Sequence, residues 1–109
     1  MTDKIVVLST CASEAEAEKL ARSLVEQHLA ACVSVVPRVR SYYRWQGALE
    51  SAEEFLLIAK SSRERMPALL AALEKEHSYD VPEVLALPVV DGAANYLNWL
   101  QANLGIPDQ

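Results

Sequence analysis

The side chains able to do redox, nucleophilic or metal chemistry are few: Cys11, Cys32, His28 and His77, with carboxylates around them. Thiolate and imidazole together suit copper or zinc. No pair of these residues has the short spacing of a metal motif, so a site must be assembled by folding or between chains. Glycines 47, 92 and 105 stand apart and make no phosphate-cradling loop. No nucleophile motif is present either, so no catalytic residue is assigned and the chain is not expected to be an enzyme. A second group is polar and aromatic: Tyr43, Trp45, Lys60, His77, Tyr79 and Glu83. Brought together, they would line a cleft in which lysine and histidine orient an anionic or polar ligand and the aromatics bury its apolar part.

Each of these residues also has a purely structural use. Tyr43 and Trp45 suit an interface, and Tyr79 suits a helix-to-strand turn. Lys60 ends an apolar run and needs either a ligand or a carboxylate such as Glu54 or Glu83. His28 and His77 fall near predicted helix ends, where imidazole meets terminal carbonyls.

Charge narrows the partners. Ten basic residues face 15 acidic ones, a net charge of −5. That is not the footprint of a nucleic-acid binder. The basic concentration at Arg38, Arg40 and Arg44 reads as a solvated strand face or an interface. No apolar run approaches the about 20 residues needed to cross a bilayer, and the first residues lack a signal-peptide layout. A cytoplasmic protein is expected, without membrane or nucleic-acid partners. With 109 residues, the chain is read as a single domain spanning 1–109.

The elements that must position these side chains follow from periodicity. Residues 4–10 form a β-branched apolar run, predicting a strand buried on both faces. Ser13 and Glu16 have capping-box spacing, and Ala17, Leu20, Ala21, Leu24 and Val25 make the stripe of a helix ending near His28. From Ala31 the period becomes two, with Val33, Val35, Val39, Tyr43 and Trp45 on odd positions. Pro37 predicts a bulge or an edge, and Gln46-Gly47 a hairpin turn. The return strand covers residues 48–61. A second helix starts at Ser61 or Ser62 or, because of Pro67, a few residues later, and stops near His77. Residues 84–87 read as a short strand. Ala93, Tyr96, Leu97, Leu100 and Leu104 give a last helix, with Gly105 and Pro107 as its stop and Trp99 expected to cover the sheet.

The order β-α-β-β-α-β plus a final helix is the split βαβ pattern of an α+β, ferredoxin-like fold. Its antiparallel sheet carries two helices on one face, leaving the other face to be covered or wet. Residues 31–45 would span about 50 Å if extended, at about 3.3 Å per residue. A globule of this length has a radius of gyration of about 13 Å. The hairpin must therefore fold back at Pro37 or pack on another copy, and its aromatic tip favours the second.

Five stretches add a resemblance: Leu29-Ala30-Ala31-Cys32-Val33, the run Ser41 to Gly47, Leu56 to Ser61, His77 to Glu83, and Tyr96-Leu97-Asn98-Trp99. In this order and spacing, from about Lys4 to Leu104, the chain closely resembles the CutA family of divalent-cation tolerance proteins. The resemblance implies a homotrimer with the long hairpin paired across subunits, a PII-like architecture and small-ligand clefts between subunits. It further implies a cytosolic role in the response to metal ions, copper included. Some members carry a cysteine where Ser9 stands and a histidine pair where this chain has Glu76 and His77. Any copper or other divalent-metal site here is therefore expected to be weak, resting on His77 and Cys11. The alternatives are a scaffolding trimer without ligand and an acyl-phosphate hydrolase on the same fold, the latter carried by fold analogy alone.

Overall fold

The computed structural model describes residues 2–105. Seven elements follow in order: β1 (Lys4–Cys11), α1 (Glu14–Glu26), β2 (Cys32–Trp45), β3 (Ala48–Ser62), α2 (Met66–Glu76), β4 (Leu85–Pro88) and α3 (Ala94–Ala102). The sheet has the order β2-β3-β1-β4, and every neighbouring pair is antiparallel. This is the expected split βαβ arrangement, α1 and α2 sharing one face.

Alternation along β1 decides what lies between sheet and helices. Ile5, Val7 and Cys11 point to the helices and join Leu20, Leu24, Leu57, Ala59, Leu69 and Leu73 in one core. Val6 and Leu8 face the other way and are only half-buried. The expectation of a strand buried on both faces therefore holds only in part: Lys4 and Thr10 on the second face are buried, Lys4 against Gln101 of α3, while Val6 and Leu8 between them are not fully covered. Leu85 and Leu87 pair with Leu8 and Val6 on that open face and are 57% and 47% exposed. Trp99 does not cover it either: it is half-exposed and stacks on Tyr96, while Leu100 and Leu104 pack around Ala31.

Local chemistry sets the element ends. Ser13 accepts from the Glu16 N–H at 3.2 Å, capping α1. The reciprocal half of the box is not made, because the Glu16 carboxylate is engaged by Ser78. α1 stops at Glu26, short of His28, which takes φ 59°. Leu29 N–H returns to Leu24 and His28 N–H to Val25, the pattern of a left-handed helix cap with Leu24 and Leu29 both buried beside it. Ser61 does not start α2: it belongs to β3, and its hydroxyl donates to the Leu29 carbonyl at 2.6 Å. α2 begins only at Met66, with Pro67 in its first turn, where a missing N–H costs nothing. Gly105 follows α3 as expected, whereas Pro107 lies outside the described residues.

The hairpin does not fold back. Pairing runs from Cys32↔Lys60 to Trp45↔Ala48, closed by Gln46 (φ 50°) and Gly47 (φ 83°), the two left-handed residues of a tight turn matched to strand twist. The longest dimension is 47 Å, and the radius of gyration of 14.6 Å exceeds the roughly 13 Å of a compact chain this long. Between Val36 and Val39 the register slips, with Arg38 at φ 63°. Two residues of β2, Pro37 and Arg38, stand there opposite Phe55 alone, so the odd–even alternation of side chains reverses beyond them. Val33 and Val35 look toward the helices, but Tyr43 and Trp45, equally odd-numbered, look to the open side.

Candidate functional site

The face reversal at Pro37–Arg38 creates the site. Beyond it Ser41, Tyr43 and Trp45 stand beside Ala52, Glu50 and Ala48, on the same face as Glu54, Leu56 and Ile58. Arg40 and Arg44 alternate to the opposite face. The loop from α2 to β4 swings alongside, since Val81 before Pro82 is held extended. The result is a cavity of about 670 Å³ walled by Tyr43, Trp45, Glu50, Glu54, Tyr79 and Glu83, with Thr10, Ser41, Tyr42, Asp80 and Val81 around them. That volume lies within the usual range of small-molecule sites.

A buried polar network fixes the floor. The His77 side chain is fully buried, and Nε2 meets the Thr10 carbonyl at 2.8 Å while Nδ1 accepts the Tyr79 N–H at 3.0 Å. Those two contacts select the Nε2–H tautomer. The Tyr79 hydroxyl in turn donates to Glu54 Oε2 at 2.7 Å. Burial, and then the Glu54 hydrogen bond, push the Tyr79 hydroxyl well above its usual range, so it remains a donor. Glu16 stands 3.6 Å from His77 Nδ1. Burial raises its carboxyl, but the N–H and hydroxyl of Ser78 and the neighbouring His77 outweigh this and hold it below the usual range.

Of the residues singled out from the sequence, Tyr43, Trp45, Tyr79 and Glu83 come together at the cavity. His77 lies beneath it as a bracket, not in its wall. Lys60 does not join them. It shares the open face, but six residues of extended strand separate it from Glu54, about 20 Å at 3.3 Å per residue. Its ammonium donates to Ser34 Oγ at 3.1 Å and approaches Cys32 Sγ at 3.8 Å, with neither Glu54 nor Glu83 as partner. The expected lysine and histidine that would favour an anion are thus missing from the wall. Among the described residues, every charged side chain lining the cavity is a carboxylate: Glu50, Glu54, Asp80 and Glu83. Sequence reading missed Glu50 and Glu54 as lining residues. Their shared face on the return strand was visible, but the face reversal that turns Tyr43 and Trp45 toward them was not.

The metal candidates are held in structural roles. Cys11 is fully buried in the core, its thiol directed to the Ser13 carbonyl at 3.6 Å. Burial, with Glu16 nearby, pushes that thiol up to about 11. Ser9, on the same face of β1, is buried with a hydroxyl that finds no partner among the described residues. His28 turns Nδ1 toward the Asn103 carbonyl at 3.4 Å. Among the described residues no three His, Cys, Asp or Glu converge closely enough to hold a metal ion. Nor, among those residues, is any helix long and apolar enough to cross a membrane.

Known proteins place this geometry. A divalent-cation tolerance protein CutA from Pectobacterium atrosepticum is 45% identical over 104 residues, covering 95% of this chain and 94% of that protein. One from Thermus thermophilus is 45% identical over 100 residues, covering 92% of this chain and 97% of its own length. The solved Thermus thermophilus structure superposes with a TM-score of 0.91 at 44% identity, over 94% of this chain and 99% of that one. The CutA structure from Xylella fastidiosa gives 0.93 at 36% identity, over 95% and 100%. The profile of the CutA1 divalent ion tolerance protein family matches residues 5–103, and the chain, with the split βαβ sheet and long hairpin described above, belongs to that family.

Proposed function

We propose that the chain works as a cytoplasmic homotrimer of the divalent-cation tolerance type, binding a small ligand in the cleft beside the outer half of the hairpin. The observation that carries this reading is a half-built enclosure. The cavity between the hairpin and the 79–83 loop stands open where Trp45 is 50% and Tyr42 71% exposed. Alongside it runs an uncovered apolar sheet face with Val36, Leu85 and Leu87 at the surface. Contiguous apolar surface of this kind is what subunits cover in an assembly. A neighbour seated there would protect the face and close the cleft in one step. Free thiols at Cys11 and Cys32 suit a reducing compartment.

A direct metal role belongs to the same proposal in a weak form. Copper reaching His77 must displace the Thr10 or Tyr79 contact, and the Cys11 thiol must first give up a proton that burial holds on it. Sedimentation velocity on the intact protein tests the assembly. Three times the chain mass at micromolar concentration is expected, and Trp45→Ala should shift the equilibrium toward smaller species. A stable monomer would remove the reading.

A further inference from the structure

The link between β4 and α3 holds a contact that neither the core nor the cleft uses. Asp91 turns its side chain back onto the chain, and its Oδ1 accepts the Gly92 N–H at 2.8 Å. That N–H makes no main-chain hydrogen bond among the described residues. Both residues are exposed. We propose that Asp91-Gly92 is a site of spontaneous backbone modification, at which the Gly92 nitrogen closes on the Asp91 carboxyl and the link converts to isoaspartate. The bond from Gly92 N to Asp91 Cγ forms as the carboxyl loses its hydroxyl, which leaves with the amide proton as water. Water then opens the five-membered imide at either carbonyl. One opening restores aspartate, and the other leaves the main chain running through Cβ and Cγ with the α-carboxyl free. Water is the only co-reactant.

Sequence and geometry single out this pair. Asp91 is the one aspartate or asparagine of the chain followed by glycine. Asn95 and Asn98 lie inside α3 and precede the bulky Tyr96 and Trp99. A carboxyl oxygen at hydrogen-bond distance from the nitrogen keeps Cγ within roughly 3–3.5 Å of it, the separation of a near-attack arrangement. Glycine has no Cβ to crowd the closing ring. The chain is tied down on both sides of the pair. Val89 donates its N–H to the Lys4 carbonyl at 3.0 Å and accepts the Thr2 hydroxyl at 2.7 Å, and the Ala93 carbonyl accepts the Leu97 N–H at 2.9 Å. Conversion adds one methylene to the main chain just before Ala93, the N-cap of α3. Leu97, beside Gly92, packs with Leu100 and Leu104 around Ala31, so the added length loosens the seating of α3.

Ageing the intact protein for weeks at about 37 °C and about pH 6 tests the proposal, beside a synthetic peptide of residues 88–95. Electron-transfer mass spectrometry of the digest separates isoaspartate from aspartate, and the imide shows as the loss of one water. Isoaspartate should accumulate at Asp91 in the folded protein, at a rate within about tenfold of the peptide's. Asp91→Glu, which would need a six-membered ring, should abolish it. Gly92→Ala should slow it about tenfold, and the alanine fits because Gly92 lies outside the left-handed region with Leu97 at ordinary contact distance. Asp91→Asn should speed it, with ammonia leaving in place of water. Aged protein should melt lower than fresh protein, and aged Asp91→Glu should not. An Asp91 that stays unmodified in the folded protein while the peptide converts overturns the proposal. Modification at a rate indifferent to Gly92→Ala overturns it as well. Conversion without a change in melting keeps the site and overturns its effect on α3.

Discussion

The Tyr79 hydroxyl donates to Glu54 Oε2 at 2.7 Å, joining the α2–β4 loop to the middle of the longest strand. This one bond pins the loop over the sheet and enclosed the cavity described above. Replacing Tyr79 with Phe leaves the Glu54 carboxylate enclosed without its donor. The expected cost is about 1.5–3 kcal/mol, the usual worth of a hydrogen bond to a charged group. Denaturant unfolding of Tyr79→Phe and of the Tyr79→Phe/Glu54→Gln pair measures it. The double variant should recover part of the loss, since it removes the stranded charge.

Alkaline pH should destabilise the fold in two overlapping steps. Burial lifts the Cys11 thiol from 9.0 to about 11, and Tyr79 is lifted above 10.0. In both cases the folded state keeps its proton where the unfolded chain loses it. The associated stability is therefore complete below pH 9 and lost as pH rises, first through Cys11 between about 9 and 11, then through Tyr79 above 10. Melting temperature followed from pH 8 to 11 should fall, and Cys11→Ala should flatten the earlier part of that fall.

Ser9 carries a buried hydroxyl without a partner among the described residues. Ser9→Cys replaces it with a group that tolerates apolar surroundings, and should raise stability by about 1 kcal/mol. Urea midpoints of the two proteins decide this. An unchanged or lower midpoint would mean that the hydroxyl is satisfied in solution.

Copper binding should be weak and should depend on His77. Both imidazole nitrogens are already engaged, so a metal must compete with them. Titrating reduced protein with Cu(I) and Cu(II), beside His77→Ala and Cys11→Ser, measures the dependence. Tight binding indifferent to both changes would place the metal elsewhere.

Lys60 touches Ser34 and Cys32, far from the cavity. Lys60→Met should therefore shift stability by no more than about 0.5 kcal/mol, as for surface changes that break no charge pair. Denaturant midpoints of the two proteins check this, and a larger loss would mean that an assembled neighbour brings a carboxylate to this lysine.

The element order was legible because each element had a strong period or a stop. The α1 stripe, the Pro37 irregularity, the Gln46-Gly47 turn and the Pro67 start are local signals, and local physics decided them. The cleft was only half legible. Tyr43, Trp45, Tyr79 and Glu83 stood out as residue types, but period-two counting placed Val33, Val35, Tyr43 and Trp45 on one face. The slip at Val36–Val39 splits that set, and its size depends on pairing with a strand many residues away. Lys60 was misjudged for a related reason. Its face was read correctly, but distance along β3 separates it from Glu54, and chain order alone does not say where the 79–83 loop comes to rest. The expected helix starts show the same limit. Glu16 and Ser61 had good local partners and took distant ones, Ser78 and the Leu29 carbonyl.

The bulge at Pro37–Arg38 works as an expansion joint in the hairpin. From Cys32 to Trp45 β2 advances 13 positions, while β3 runs back only 12 from Lys60 to Ala48. The surplus residue is absorbed at the bulge and nowhere else along the pair. Removing it would leave Tyr43 opposite Glu50 and Trp45 opposite Ala48, on the face they occupy now, and would take away the local bend and added twist. The bulge therefore governs how the outer hairpin is aimed, while pairing with β3 governs which side chains look into the cleft. Aim and lining can change independently, so a lineage could redirect the tip of this hairpin without rewriting the residues it carries.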